Sequence, residues 1–312
     1  MKKILALLFA MVLLLCGCGQ KKADASGTVF CMDTVMDLQL WGSDADEAYT
    51  RLTQLLRSLE QEWSANEEES AAAKLDREDA ELTQQQMALA QKALALSQRT
   101  EGAFEPRIYG LTSLWGFTTG QYRVPTPEQI AQGMESARWD LGAVIKGYAG
   151  DRAVQLLQEL EIDRALLNLG GNVQTYGTKE DDSAWVIGVR DPQDPNGTVG
   201  NLAVTGTCSV ITSGGYQRYF EQDGVRYHHI IDPKTGYPAD SDLSSVTVVC
   251  TDGMMGDVLS TALFVMGYER AVAHWQQYHD FEAVLILKDG TIHVTEGITF
   301  TGGSYEVIGR EN

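Results

Sequence analysis

The stretch KGYAGDRAVQLLQEL (146–160), followed by EIDRALLNLGG (161–171), is where the chain changes texture. Ala149, Ala153, Val154, Leu157 and Leu160 recur at helical spacing, which predicts a helix over Lys146–Leu160. The apolar run at 165–169, closed by Gly170-Gly171, reads as a strand. Upstream the periodicity is helical. Ala48, Leu52, Leu55, Leu56, Leu59 and Trp63 share one face over 44–63, a second helix is expected over 83–99, and Thr126–Ala137 forms a shorter one behind Pro125 and Pro127. The acidic stretch 60–81 reads as a solvated loop with helix ends. Downstream, β-branched or alternating runs fall at 184–190, 202–212, 225–231, 244–251, 282–287 and 291–295, interrupted by helices over about 256–267 and 269–279. Helices first and strands afterwards predict an α+β fold, a mixed, largely antiparallel sheet flanked by helices.

A chain of 312 residues, 44% hydrophobic and 8% aromatic, can bury the core of one large domain or two lobes. A formal charge of −19 repels phosphate backbones and excludes nucleic acid as a partner. Lys2 and Lys3 precede an apolar run from Ile4 to Cys16, too short for a comfortable permanent span. Leu15-Cys16-Gly17-Cys18 resembles a bacterial lipobox, which sets the expected organisation: a signal peptide at 1–17, a tether at 18–27 beginning at a lipidated Cys18, and a domain at 28–305. A simple secretory signal is the plainer alternative. The lipobox reading puts the protein on the extracytoplasmic face of the cell membrane, held by its lipid anchor. Cys31, Cys208 and Cys250 show no CxxC or zinc-ligand spacing and are expected as small buried apolar residues.

Several segments carry more chemistry than a generic domain needs. Asp257 and Thr261 lie four apart on a predicted helix, so a carboxylate and a hydroxyl project from one face. These are hard oxygen ligands of the kind Mg²⁺ prefers, although taken alone the pair is better accounted for by a helix cap and a packed hydroxyl. Gly170-Gly171 lets backbone approach a bulky ligand, or simply makes a tight turn. Gly142 and Gly147 flank Lys146 at a helix start, where free N–H groups attract anions. No Walker A loop or GxGxxG follows a strand. His228 and His229 face opposite ways on a strand, so one of them can enter a site and accept a hydroxyl proton. Trp115 and Phe117 read as core, with the alternative of stacking on a flat heterocycle.

Taken in order, Cys31-Met32-Asp33-Thr34, Glu101–Pro106 with Leu114–Phe117, DLGAVIKGY (140–148), Leu169–Asn172, HIIDPKTGYP (229–238) and GDVLSTALFVMG (256–267) resemble the ApbE family, the FAD:protein FMN transferases. The likeness runs from about 28 to 300. It implies an ApbE-like fold with the ligand cleft between lobes. Met32 and the segment Leu114-Trp115-Gly116-Phe117 correspond to flavin or adenine contacts. Asp140 corresponds to the carboxylate that holds FAD, with Lys146, Gly171 and the backbone around Ile231 completing the pocket. The Ala143 carbonyl, Asp257 and Thr261 correspond to a Mg²⁺ shell, with Ser260 at a position where some relatives add an oxygen. His229 stands at the histidine of the family's H-[IV]-[IL]-D-P pattern, and with Asp257 it forms the implied catalytic pair.

The implied reaction is Mg²⁺-dependent transfer of FMN from FAD to a Ser or Thr hydroxyl of an acceptor flavoprotein, an exported or membrane redox protein, with release of AMP. One position departs from the pattern. Asn66 stands where many transferases carry an aromatic residue, and an amide can ligate a second cation but cannot stack as a phenol does. That favours hydrolysis of FAD to FMN and AMP as the alternative. A non-catalytic flavin-binding lipoprotein is a further one.

Overall fold

The structure, a computed structural model, describes residues 22–77 and 79–310. The signal peptide at 1–17 and Cys18 lie outside the described residues.

The chain opens with two strands, β1 (Ala25–Cys31) and β2 (Thr34–Trp41), before α1 (Ala45–Trp63), α2 (Ala71–Lys74), α3 (Gln84–Arg99), α4 (Tyr109–Leu114), α5 (Pro127–Glu135) and α6 (Ile145–Glu159). Then come β3 (Arg164–Leu169), β4 (Asn172–Tyr176), β5 (Trp185–Arg190), β6 (Thr198–Val204), β7 (Cys208–Gly214), β8 (Tyr219–Gln222), β9 (Val225–His228) and β10 (Leu243–Cys250). The chain closes with α7 (Gly253–Met266), α8 (Tyr268–Gln277), β11 (Glu282–Leu287), β12 (Ile292–Thr295), β13 (Thr299–Gly302) and β14 (Glu306–Ile308).

Among the described residues one nine-stranded sheet dominates, in the order β1-β2-β3-β4-β7-β10-β11-β12-β14. Its pairs are antiparallel except β12 with β14, so the sheet is mixed and largely antiparallel as expected. One face carries the main core, where Leu38, Leu167, Leu169 and Val248 meet Leu52, Leu56 and Leu59 of α1, Ala149 and Leu157 of α6 and Val258 and Leu259 of α7. Against the other face lies a three-stranded sheet, β13-β6-β5, closed over by Trp41, Trp185, Leu202, Val284 and Phe300. A third, smaller cluster joins Leu111, Trp115, Phe117, Ile130 and Ile231 around α4 and α5 and forms a separate lobe beside the sheet.

Three expectations change. The order is not helices first, because β1 and β2 precede α1 and Ala25–Gly27, assigned by sequence to the tether, are the opening residues of β1. The run 202–212 is two strands, because Gly206 turns the chain with φ +69°. The run 225–231 stops pairing at His228, and beyond it Ile231 keeps only an isolated bridge to Pro238. Thr83 and Thr126 each form a capping box with the glutamine three residues on, which fixes the starts of α3 and α5 where the sequence put them. Cys31, Cys208 and Cys250 are free and buried, as expected.

Candidate active site

The site is assembled where α6 begins. Val144 caps α6 without a side-chain hydrogen bond. The Gly147 N–H, one of the first-turn donors that have no acceptor within a helix, donates to Asp257 Oδ2 on α7 at 2.9 Å. The Ala143 carbonyl lies ahead of the cap residue, outside the helical ladder, and receives no donor among the described residues. Gly147 makes the contact with Asp257 possible: a Cβ there would sit 2.1 Å from Gly253 O and 2.8 Å from the Asp257 Cβ. The two helices therefore touch backbone to backbone at Gly147 and Gly253. Asp257 is 4% exposed and forms no ion pair among the described residues. Lys146, half-buried at the same helix start, has neither its N–H nor its ammonium engaged by a described residue, a disposition suited to an anion.

One turn after Asp257, the Thr261 hydroxyl meets Ser213 Oγ of β7 at 3.2 Å, and Ser213 Oγ meets Ser260 Oγ at 2.8 Å. Ser260 is 0% exposed and donates to the Asp257 carbonyl at 3.0 Å. Its hydroxyl is thus engaged on the interior side; the Asp257 carboxylate reaches the α6 start, the Ala143 carbonyl lies just ahead of that start, and Thr261 stands one turn on along α7.

His229 follows directly on β9. Its Nδ1 lies 3.1 Å from Arg218 O, which also accepts the His229 N–H. A carbonyl can only accept, so Nδ1 carries the proton and Nε2 keeps its lone pair. Desolvation, then the Arg218 and Lys146 cations, hold the imidazole well below the usual histidine range, at about 3. Phe117 packs edge-on to it at 6.3 Å. His228 points elsewhere, to Ala239 O, and packs against Phe264, in keeping with opposite-facing neighbours.

The small lobe is fastened to this site by α4. Thr112 donates to Asp140 Oδ2 at 2.6 Å, and Gly142 N–H donates to Asp140 Oδ1 at 2.9 Å. Tyr109 donates to Asn66 Oδ1, and Asn66 Nδ2 donates to Thr118 O, both at 3.3 Å. Asn66 thus lies against the 114–118 segment, and its amide is held from both sides. Trp115 is 0% exposed, donates through Nε1 to Gly236 O and packs against Tyr227 and Tyr237. Its ring is therefore packed as core. Phe117 is buried too, and its carbonyl receives Arg218. Leu114 remains half-buried, and Gly116 turns the chain with φ +80°. Ile231 is buried in the lobe's own cluster.

Met32 and Gly171 sit at one end of the sheet. Met32 and Asp33 both adopt left-handed backbone, φ +53° and +56°, to join β1 to β2 in two residues. The Met32 N–H donates to Glu60 Oε1. Gly170 abuts Thr34, where a Cβ would fall 2.3 Å from its methyl, while Gly171 opens to free space with φ +98°. Sequence reasoning missed Ser213 and the Gly147 amide. No local signal marked Ser213, which pairs in register with Val246 of β10 and meets Thr261 only through the tertiary fold.

A family model described as the ApbE family matches residues 32–285. The chain belongs to the ApbE family. It is similar to a FAD:protein FMN transferase of Klebsiella pneumoniae, 46% identical over 154 residues that cover 49% of this chain and 46% of that protein. A FAD:protein FMN transferase of Treponema pallidum is 34% identical over 234 residues, covering 64% of this chain and 65% of the relative. The chain thus spans about half to two thirds of the length of these curated relatives. Among solved ApbE structures, the protein from Thermotoga maritima superposes with a TM-score of 0.80 at 30% identity, covering 88% of this chain and 97% of that one. The flavin transferase ApbE from Vibrio cholerae does so with a TM-score of 0.75 at 26% identity, covering 90% and 97%. The ApbE fold therefore extends over the described sheet and its helices.

Proposed function

We propose that this ApbE-family chain transfers FMN from FAD to a Ser or Thr hydroxyl of an acceptor flavoprotein. The observation that carries the reading is the oxygen cluster at the α6 start. The Ala143 carbonyl, just ahead of α6, receives no donor among the described residues, the Asp257 carboxylate reaches the Gly147 N–H at that helix start, and Thr261 stands one turn further along α7. Such a donor set fits Mg²⁺, which takes few protein ligands and completes its shell with phosphate oxygens and water. Bound there, Mg²⁺ would offset charge on the diphosphate of FAD.

The chain's own residues supply the rest. Lys146 and the start of α6 receive the phosphates. His229 Nε2 takes the proton of the acceptor hydroxyl as its oxygen bonds to the FMN-side phosphorus. The bond from that phosphorus to AMP breaks, and AMP leaves. Asp140, Leu114 and Gly116, the backbone of Trp115 and Phe117, the backbone at Ile231, and Met32 with Gly171 at the sheet end form the proposed flavin and adenine walls. Asp257→Ala should abolish transfer, read as flavin fluorescence on denatured acceptor, and full activity in that variant would refute the metal assignment.

Asn66 favours a second reading, FAD hydrolysis, because an amide replaces an aromatic ring beside the 114–118 segment. Incubation with FAD and Mg²⁺ without acceptor separates the two, since fast AMP release supports the hydrolase. We further propose that Cys18 is the lipidated first residue of a mature protein facing outward from the membrane. Metabolic labelling with a radioactive fatty acid should mark the wild-type protein and leave Cys18→Ser unlabelled.

A further inference from the structure

Three hydroxyls and one carbonyl form a chain behind the proposed metal site. Ser260 Oγ lies 3.0 Å from the Asp257 carbonyl, Ser213 Oγ lies 2.8 Å from Ser260 Oγ, and Thr261 Oγ1 lies 3.2 Å from Ser213 Oγ. Each hydroxyl has one proton and can also accept. The carbonyl only accepts, so the Ser260 proton is directed to it. The contact between Ser213 and Ser260 then uses the Ser213 proton, and the remaining contact uses that of Thr261. One assignment satisfies all three hydrogen bonds: Thr261 donates to Ser213, Ser213 to Ser260, and Ser260 to Asp257 O. Hydrogen bonds aligned in this way polarise one another, which increases electron density on the first oxygen of the series.

We propose that Ser213 is a positioning residue for the cation. By accepting the Thr261 proton, it turns the Thr261 lone pairs toward the site that Asp257 and the Ala143 carbonyl share. Without it, the Thr261 hydroxyl is free to rotate and point its proton at the cation. The inference rests on the metal reading above and adds to it a strand residue outside the coordinating set. It also gives Ser260 a role: held in the interior, Ser260 anchors the chain on the same residue, Asp257, that supplies the carboxylate.

The test is Mn²⁺ binding to the purified protein without nucleotide, followed by the loss of the free-ion signal in electron paramagnetic resonance, with thermal melts to confirm folding. Ser213→Ala should weaken Mn²⁺ roughly tenfold, the lower end for residues that orient metal ligands. Ser213→Thr, which keeps the hydroxyl, should restore affinity. In a Thr261→Ala background Ser213→Ala should cost nothing more, because its only route to the metal is gone. Wild-type affinity in Ser213→Ala, or an equal loss in both backgrounds, overturns the proposal while leaving the metal site intact. Wild-type protein that binds no Mn²⁺, or Asp257→Ala that binds as well as wild type, overturns the metal reading itself and the proposal with it.

Discussion

His229 shows how much one carbonyl decides. Arg218 O fixes the proton on Nδ1, and desolvation with the Arg218 cation holds the ring at about 3, so Nε2 is a free base throughout the neutral range. A histidine of ordinary value would lose its base function as pH falls through about 6.5. The proposed transfer should instead show no acid limb near that value, and loss assignable to His229 should appear only as pH approaches 3. A rate profile of FMN transfer from pH 4.5 to 8 checks this, and a histidine limb centred near 6.5 in the wild type would contradict it. His229→Ala should slow transfer by roughly 10²- to 10⁴-fold, the usual worth of a positioned base, with folding unchanged in a thermal melt.

At the scale of elements, the crossing of α6 and α7 is the part that must be built correctly. Gly147→Ala places a methyl 2.1 Å from Gly253 O, so the helices must separate and carry Asp257 away from the α6 start. Overpacking of this kind costs about 1–3 kcal/mol, and urea melts should show that loss together with weakened Mn²⁺ binding. The same crossing is held by Asp151 of α6, whose carboxylate accepts the Gly253 and Met254 N–H groups at 2.7 and 2.9 Å. Burial pushes this carboxyl up to about 6 in spite of those donors. A folded value above the unfolded 3.8 favours folding most below 3.8, and the contribution fades as pH rises through about 6. Asp151→Asn should therefore flatten the pH dependence of unfolding free energy between pH 4 and 7, and an unchanged slope would contradict the assignment. The helices here were legible in the sequence because their apolar spacing is local, although α6 has no side-chain cap and α7 begins at Gly253, ahead of the expected 256. β2 also alternates, with Met36, Leu38 and Leu40 inward, yet nothing local tells that Met36 pairs with Leu169. The pair Asp257 and Thr261 could be read from helical spacing. Ser213 could not, because its meeting with Thr261 depends on β7 lying under α7. Trp115 reads as core from its residue type, and the structure packs it so, against Gly236 O, Tyr227 and Tyr237.

For the whole molecule, the large sheet and its two covering layers form a frame, and the α4–α5 lobe is fastened beside the α6 start through Thr112 to Asp140 and Arg218 to Phe117. The family match spans these parts together, 32–285, which is why the fold and the site are read as one unit. The acidic surface does not oppose an anionic substrate, because the proposed phosphate contacts are local to Lys146 and a helix start. The central claim is that this frame moves FMN onto another protein. Purified chain is incubated with FAD, Mg²⁺ and a candidate exported flavoprotein, and the acceptor's intact mass is measured alongside released AMP. The account predicts an acceptor heavier by one FMN, with AMP in equal amount, and neither with Asp257→Ala. AMP released without any gain in acceptor mass, or a mass gain that survives Asp257→Ala, would contradict it.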